Sequence, residues 1–293
     1  MMTVSRWLSA SAGLLLGSAC VSAPAVPRGY VGQFERSEQE AHPFIPLTEI
    51  SPSATLEDAY QLQRDIVARR VKRGDAVIGY RGGLMSAASM KSRGVEVPLA
   101  ATLFRSGRIA QGSTLSLCGY RKAAFELKIG FLFDRAIDGA KADVARLKAA
   151  VARIMPVVDL PDIAYRNPDS YSAVDMVAAN VSSAHYVTGA GQRQEGIDPD
   201  TLRVSLTRDG QFLASGLGHE SLDDQWGGLR ILIGQIEASG RKVKAGTLVV
   251  TGKIGDKGWL VPGHYHADYG ALGTIDFNVV ACTVVGASSR SRG

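Results

Sequence analysis

The sequence predicts a strand-rich, mixed α/β domain with flanking helices. Residues 124–133 show the clearest strand pattern, because large apolar residues alternate there with small or charged ones in the period of two that is typical of a half-buried strand. The apolar positions are Phe125, Leu127, Ile129 and Phe131. Shorter strands are predicted at 76–80, 202–207, 211–215, 246–252 and 275–285. Strands do not alternate regularly with helices, so a doubly wound parallel sheet is not expected.

Three helices are predicted from apolar residues at helical spacing. The first begins with a capping-box pattern between Thr55 and Asp58. The other two cover about 138–155 and 223–239. We therefore expect helices beside the strands of one folded domain over residues 51–287.

Composition and charge favour an ordinary globular protein. The chain has 293 residues, of which 45% are hydrophobic and 21% are charged, enough to bury a full core. The formal net charge is +5, but the basic residues are spread along the chain with acids between them, and no aromatic and basic stripe is present. A nucleic-acid partner is therefore not expected.

The two ends of the chain differ from the rest. Residues 1–25 combine one charge, a short apolar run and small residues before position 26, as a secretory signal peptide does, and the run is too short to span a bilayer. This pattern predicts export, with the periplasm favoured, and no transmembrane segment in the mature chain. A lipid anchor at Cys20 and a translation start further downstream stay open as alternatives. Residues 26–50 are interpreted as an extended tether, and 288–293 as a disordered tail.

The cysteines allow two states. Removal of the signal peptide would leave Cys118 and Cys282, both in strand-like apolar surroundings. The two could pair in an oxidising compartment, but sequence does not give their separation. Buried free thiols are the favoured interpretation.

Charged residues on otherwise apolar strands are the first candidates for a functional site. Glu126 and Lys128 share one face of the predicted strand, and Asp159 follows another apolar run. Burying such groups is costly unless they are paired or coordinated. An exposed strand face with a surface salt bridge is the alternative. His264 and His266 could supply half of a metal site, but a surface or packing role is favoured for them.

Six stretches of the chain resemble one enzyme family. They are GYRGGL at 79–84, GVEVP at 94–98 with TLF at 102–104, FELK at 125–128, MPVVD at 155–159, DMVAAN at 175–180 and TGKIG at 251–255. In this order and spacing they resemble the 2-keto-4-pentenoate (2-hydroxypentadienoate) hydratases. That family also includes 4-oxalocrotonate decarboxylases and belongs to the fumarylacetoacetate-hydrolase-like superfamily. The resemblance implies a fumarylacetoacetate-hydrolase-like fold.

The resemblance also implies a metal site, from which this chain departs. Family members bind Mg or Mn through three carboxylates, two of them in a Glu-x-Glu strand motif. Glu126 matches the first ligand and Asp159 takes the place of the third, whereas Lys128 stands at the second. An ammonium beside two acids opposes a divalent ion, so Mg or Mn binding is expected to be weak or absent.

Two functions are compatible with these residues. The first is a hydratase-type lyase for a small 2-keto or 2-hydroxy-dienoic acid. In it Arg81 holds the ligand carboxylate, Glu126 and Asp159 act as acid–base groups or metal ligands, and Lys128 or Lys253 stabilises the enolate. The second is an exported binding protein for a small organic anion that kept the pocket without catalysis. The partner is a small keto acid in both cases, and the sequence leaves a homo-oligomer open.

Overall fold

The computed structural model describes residues 27, 29–139, 142–168, 170–222 and 224–283. The predicted signal peptide, the candidate lipid-anchor residue Cys20 and the predicted tail at 288–293 lie outside these ranges. None of the helices in the described ranges is long and apolar enough to cross a membrane.

The described chain contains helices and strands in an irregular order. The helices are α1 (Tyr30–Gln39), α2 (Leu47–Ile50), α3 (Leu56–Lys72), α4 (Ala87–Ser92), α5 (Val144–Ala150), α6 (Ala173–Ala178) and α7 (Gln225–Ala238). The first seven strands are β1 (Val77–Gly83), β2 (Leu99–Phe104), β3 (Arg108–Ile109), β4 (Thr114–Ser116), β5 (Ala124–Phe133), β6 (Val151–Leu160) and β7 (His185–Thr188). The others are β8 (Gln192–Arg193), β9 (Arg203–Arg208), β10 (Gln211–Leu217), β11 (Leu248–Val250), β12 (Ile254–Trp259), β13 (Gly263–Asp268) and β14 (Thr274–Val280). The predicted mixed, strand-rich class is confirmed.

The strands form two sheets. The larger sheet has the order β2-β1-β11-β5-β6-β7-β3, with β12 also paired to β5 and β8 to β6. The smaller sheet has the order β10-β9-β13-β14-β4. Most neighbouring strands are antiparallel, whereas the pairs β1·β11, β3·β7 and β4·β14 are parallel. This mixed topology differs from a doubly wound sheet, as the sequence predicted.

The largest apolar cluster brings together side chains from both sheets and from α7. Strand β5 contributes its alternating residues to this cluster, which leaves the opposite face of the same strand for Glu126 and Lys128. Helices α1, α3 and α6 pack around a second cluster.

The prediction of an extended tether over residues 26–50 is wrong. This segment forms α1 and α2, and Tyr30, Phe34, Phe44 and Leu47 are buried in the second cluster. The segment has only a few large apolar residues, so its sequence shows no sustained helical period, but those few are enough to anchor it against α3 and α6.

The helix predicted over 138–155 is only partly correct. The helix ends at Ala150, and Val151 begins strand β6, which pairs with β5 along its length. Val151 and Ile154 fit a helical period with Leu147, but they are β-branched and equally suited to a strand. Pairing of this stretch with β5 and β8 selects the strand over the helix. The predicted helices near 55–74 and 223–239 correspond to α3 and α7.

The expectation of buried free thiols is also wrong. Cys118 and Cys282 form a disulfide, with their Cα atoms 4.5 Å apart, and both residues are exposed. The cause lies in the parallel pair β4·β14, where Ser116 lies beside Val280. Each cysteine follows its paired residue by two positions, so the strand register brings the two together.

Candidate functional site

Three strands of the larger sheet, β1, β5 and β6, carry the charged residues predicted from sequence. Glu126 on β5 lies directly opposite Asp159 on β6, and paired residues of adjacent strands project from the same face. Lys128 lies two residues beyond Glu126 and therefore shares this face. Arg81 comes from β1. We call these four residues the charge cluster.

Lys128 lies at the centre of the charge cluster. Its Nζ is 3.1 Å from Glu126 Oε2 and 3.2 Å from Asp159 Oδ2. Lys128 Nζ also donates a hydrogen bond to the carbonyl of Gly82 at 3.1 Å. The predicted proximity of Lys128 to both acids is thus present in the structure.

Arg81 is the second cation of the charge cluster. Its Nη1 donates to Asp159 Oδ2 at 2.5 Å and lies 3.8 Å from Glu126 Oε2. Its Nη2 donates to the carbonyl of Val181. Each terminal nitrogen thus donates to a protein oxygen, and Arg81 holds a protein carboxylate.

Burial excludes the alternative of a surface salt bridge. The side chains of Lys128 and Asp159 are 1% exposed, Arg81 is 4% exposed and Glu126 is 17% exposed. Burial raises the pKa of Glu126, but the nearby Lys128 ammonium and then the Arg81 guanidinium outweigh it, so this pKa lies below its usual value. Glu126 is therefore an ionised carboxylate at neutral pH and the most exposed member of the charge cluster.

The charge cluster lies at a cavity of about 700 Å³, a size suited to a small-molecule ligand. The charged residues that line it are Arg81, Arg93, Lys128, Lys253 and Lys257 as cations and Glu126, Glu220 and Asp256 as carboxylates. Glu126 and Asp159 balance Lys128 and Arg81, so the excess of cations comes from Arg93, Lys253 and Lys257 against Glu220 and Asp256, and it favours an anionic ligand. Lys253 lies on the cavity wall as an exposed residue, and its Nζ donates to the carbonyl of Gly255.

Sequence reasoning did not identify the aromatic part of the cavity wall. The guanidinium of Arg93 lies 4.2 Å from the ring centroid of Tyr171, which stacks on Tyr165 at 4.1 Å. Arg93 also donates to the backbone carbonyl of Tyr171. Arg93 and Tyr171 are 78 positions apart in the sequence, and neither belongs to a motif, so no local signal links them.

A turn in the left-handed backbone region forms another part of the wall. Asn180, Val181 and Ser182 have φ values of 49°, 52° and 59°, which are unfavourable for residues other than glycine and most of all for a β-branched one. Asn180 Oδ1 accepts from Thr102 N at 2.8 Å, and Asn180 Nδ2 donates to Thr102 O at 2.9 Å. These bonds and the contact between Arg81 and Val181 hold the turn in place.

The two candidate histidines lie away from this cavity. His264 and His266 are on β13, with ring nitrogens 3.5 Å and 2.8 Å from Asp276 Oδ1 on β14. They are partly exposed and contribute to the surface of the smaller sheet. Within the described residues, no group of three His, Cys, Asp or Glu side chains is arranged to hold a metal ion.

The donor set of the charge cluster does not fit a divalent metal. Mg²⁺ and Mn²⁺ prefer oxygen ligands, and the charge cluster offers only the two carboxylates of Glu126 and Asp159. Lys128 Nζ already lies within 3.2 Å of both. An ion bound by the same two oxygens would have to take the position of the ammonium.

Comparisons with known proteins identify 4-oxalocrotonate decarboxylases and 2-keto-4-pentenoate hydratases among the relatives of this chain. The chain is 28% identical over 248 residues to a 4-oxalocrotonate decarboxylase from Pseudomonas putida, covering 84% of this chain and 94% of the relative. It is 27% identical over 227 residues to a 2-keto-4-pentenoate hydratase from Paraburkholderia xenovorans (strain LB400), covering 77% and 84%. No protein-family model matches the chain.

Solved structures agree with these relatives. The 4-oxalocrotonate decarboxylase from Pseudomonas putida G7, complexed with magnesium and adipate, matches with a TM-score of 0.82 and 26% identity. The match covers 86% of this chain and 96% of that one. The predicted resemblance to this group of enzymes and the predicted fumarylacetoacetate-hydrolase-like fold are both confirmed.

Proposed function

We propose that this chain, which is similar to 4-oxalocrotonate decarboxylases and 2-keto-4-pentenoate hydratases, is a hydratase-type lyase for a small 2-keto or 2-hydroxy-dienoic acid. The observation that carries the proposal is the charge cluster at the wall of a cation-rich cavity. The relatives named above are enzymes, which gives no support to a binding protein without catalysis.

The geometry suits the chemistry of an enolate. Removal of the 2-hydroxyl proton of a 2-hydroxy-dienoic acid places negative charge on its 2-oxygen, and nearby fixed cations stabilise such charge most strongly where water is excluded. Lys128 and Arg81 are fixed and buried beside the cavity. Glu126 is an ionised carboxylate that is partly exposed there, so we assign it the proton transfer.

Binding of the ligand anion requires cations that the charge cluster has not already engaged. Arg81 is 4% exposed and its Nη1 and Nη2 already donate to Asp159 and to the Val181 carbonyl, so we assign Arg81 to the support of Asp159 rather than to the ligand. Lys253 and Lys257 are exposed on the cavity wall. We assign to Lys253 and Lys257 the attraction of the ligand carboxylate. This role replaces the stabilisation of the enolate that the sequence suggested for Lys253.

Turnover of 2-hydroxypentadienoate by the purified protein, followed by its ultraviolet absorbance, tests the proposal. Glu126→Gln is the matched variant, because it keeps the size of the side chain and removes the carboxylate. We expect it to slow turnover about 10²–10⁴-fold while ligand binding is retained. Decarboxylation of 4-oxalocrotonate is assayed in parallel. Binding without turnover of either compound would instead support the binding-protein alternative.

We further propose that the chain is exported to an oxidising compartment such as the periplasm. The signal-like pattern over residues 1–25 and the disulfide between Cys118 and Cys282 support this, because disulfides persist mainly outside the reducing cytosol. Intact mass of protein from the native host tests it: a mature chain should begin near residue 26, or at Cys20 if that residue carries a lipid. A chain that begins at Met1 in the cytoplasm would contradict export.

A further inference from the structure

Three oxygen atoms of the protein surround the buried ammonium of Lys128. Lys128 Nζ donates a hydrogen bond to the Gly82 carbonyl at 3.1 Å and forms ion pairs with Glu126 Oε2 at 3.1 Å and Asp159 Oδ2 at 3.2 Å. Its side chain is 1% exposed. Lys128 therefore acts on the cavity through its charge, from a fixed position.

The charge cluster is also balanced without any added ion. The carboxylates of Glu126 and Asp159 face the cations of Lys128 and Arg81, so two negative charges meet two positive ones. A buried charge is tolerated when it is paired and hydrogen-bonded. Adding a divalent ion would leave an excess of positive charge beside a buried ammonium.

We infer that Lys128 is a built-in cation, and that this site binds and processes a 2-oxo acid without a divalent metal. This inference rests on the proposed function. The solved decarboxylase that the chain resembles is complexed with magnesium, so the inference sets this chain apart from that enzyme. The carrying observation is the position of the Lys128 ammonium between two carboxylates on adjacent strands.

A built-in ammonium changes how the ligand must be held. A metal ion can accept two ligand oxygens at vacant coordination positions, whereas the ammonium of Lys128 is 1% exposed and already has three protein oxygens around it. Its charge can stabilise an enolate oxygen from a short distance, but it cannot chelate the ligand carboxylate as well. The carboxylate must therefore meet other cations, and Lys253 and Lys257 lie on the same cavity wall.

Thermal unfolding with Mn²⁺ and with EDTA tests the cation position. The natural protein should melt at the same temperature in both. Lys128→Glu places three acids together, so it should melt lower in EDTA and recover in Mn²⁺ through binding to the folded state. Lys244→Glu, which makes the same charge change at an exposed position, is the matched control and should show no Mn²⁺-dependent rise. A Mn²⁺-dependent rise in the melting temperature of the natural protein would overturn the inference. So would the absence of such a rise in a folded Lys128→Glu variant.

Calorimetric titration of the natural protein with pyruvate, the simplest 2-oxo acid, is independent of whether Lys128→Glu folds. Its dissociation constant should differ by less than about twofold between EDTA and Mn²⁺, and turnover of 2-hydroxypentadienoate should persist in EDTA. Binding or turnover that requires Mn²⁺ would overturn the built-in cation but leave the proposed function intact. Absence of turnover in both conditions would count against the proposed function, while the melting data still decide whether Mn²⁺ binds.

Discussion

Arg81 Nη1 and Asp159 Oδ2 lie 2.5 Å apart, although the two residues are 78 positions apart in the sequence. The bond joins β1 to β6, strands that are separated in the larger sheet by β11 and β5. It therefore ties β1 to β6 across the two strands between them.

Removal of Arg81 should destabilise the protein as well as the site. Arg81→Ala leaves the buried Asp159 with only one of its cations, and breaking a buried pair typically costs about 3–5 kcal/mol. We also expect keto-acid binding to weaken more than about tenfold, because the charge cluster then holds two carboxylates against one cation and repels the ligand anion. Urea unfolding and calorimetry measure the two effects, with Arg135→Ala at an exposed ion pair as the control. Unchanged stability and affinity in Arg81→Ala would show that the Arg81–Asp159 ion pair contributes to neither folding nor ligand binding.

Asn180 offers a way to separate hydrogen bonding from backbone strain. Asn180→Ala and Asn180→Gly both remove the two bonds to buried Thr102, which should cost about 1–3 kcal/mol for each backbone group left without a partner. Glycine adopts a positive φ without steric cost, so Asn180→Gly should be about 1 kcal/mol more stable than Asn180→Ala. Urea unfolding measures the difference. Equal stability of the two variants would argue against strain in the turn.

Half-buried His185 should make stability depend on pH. Burial, and then the positive charge of Arg70, lower the pKa of His185, while Asp162 opposes them. The unfolded chain therefore binds a proton more readily, so the free energy of unfolding should fall as the pH drops through the unfolded-state value of about 6.5. Between about pH 7 and 5, the free energy of unfolding of His185→Gln should therefore change less with pH than that of the natural protein. An identical slope in both proteins would contradict the prediction.

The disulfide should contribute substantially to stability. It joins residues 164 positions apart, and the loss of chain entropy in the unfolded state predicts up to about 5 kcal/mol for a loop of this size. The double variant Cys118→Ser, Cys282→Ser should therefore melt at a lower temperature than the natural protein. Dithiothreitol should lower the melting temperature of the natural protein to the same value. If peptide mapping finds both thiols free under oxidising conditions, the pairing is wrong.

The lysines of the cavity wall should act mainly through long-range attraction. Lys253→Ala and Lys257→Ala should each weaken pyruvate binding several-fold at low salt and less at high salt, because exposed charges are screened. Lys244→Ala is the control. Stopped-flow or calorimetric measurements over a range of salt concentrations test this, and salt-independent losses would indicate a structural role instead.

Local patterns predicted those parts of the site that depend on a single strand. The alternation along β5 placed Glu126 and Lys128 on one face, and the apolar run before Asp159 marked this residue as a candidate without showing that it lies opposite Glu126. The same reasoning failed where contacts between distant segments decide the structure. Val151 and Ile154 fit both a helix and a strand, and only pairing with β5 selects the strand.

Other features of the cavity have no local signature. Nothing in the sequence around Val181 indicates a left-handed turn, because this turn is held by Thr102 and Arg81 from remote strands. The stacking of Arg93 on Tyr171 likewise becomes visible only once the chain has folded. Sequence reasoning therefore identified the charges of the site more readily than the shape around them.

The pairing of Glu126 with Asp159 also bears on how the protein reaches its fold. A shift of one residue between β5 and β6 would turn either β5 or β6 over. It would carry the charges of that strand into the apolar side of the sheet, where each would lack its counter-ion. Misaligned intermediates would thus meet a large electrostatic penalty as they became compact and buried these charges. The residues that we assign to the chemistry therefore also select the correct alignment of the two longest strands during folding.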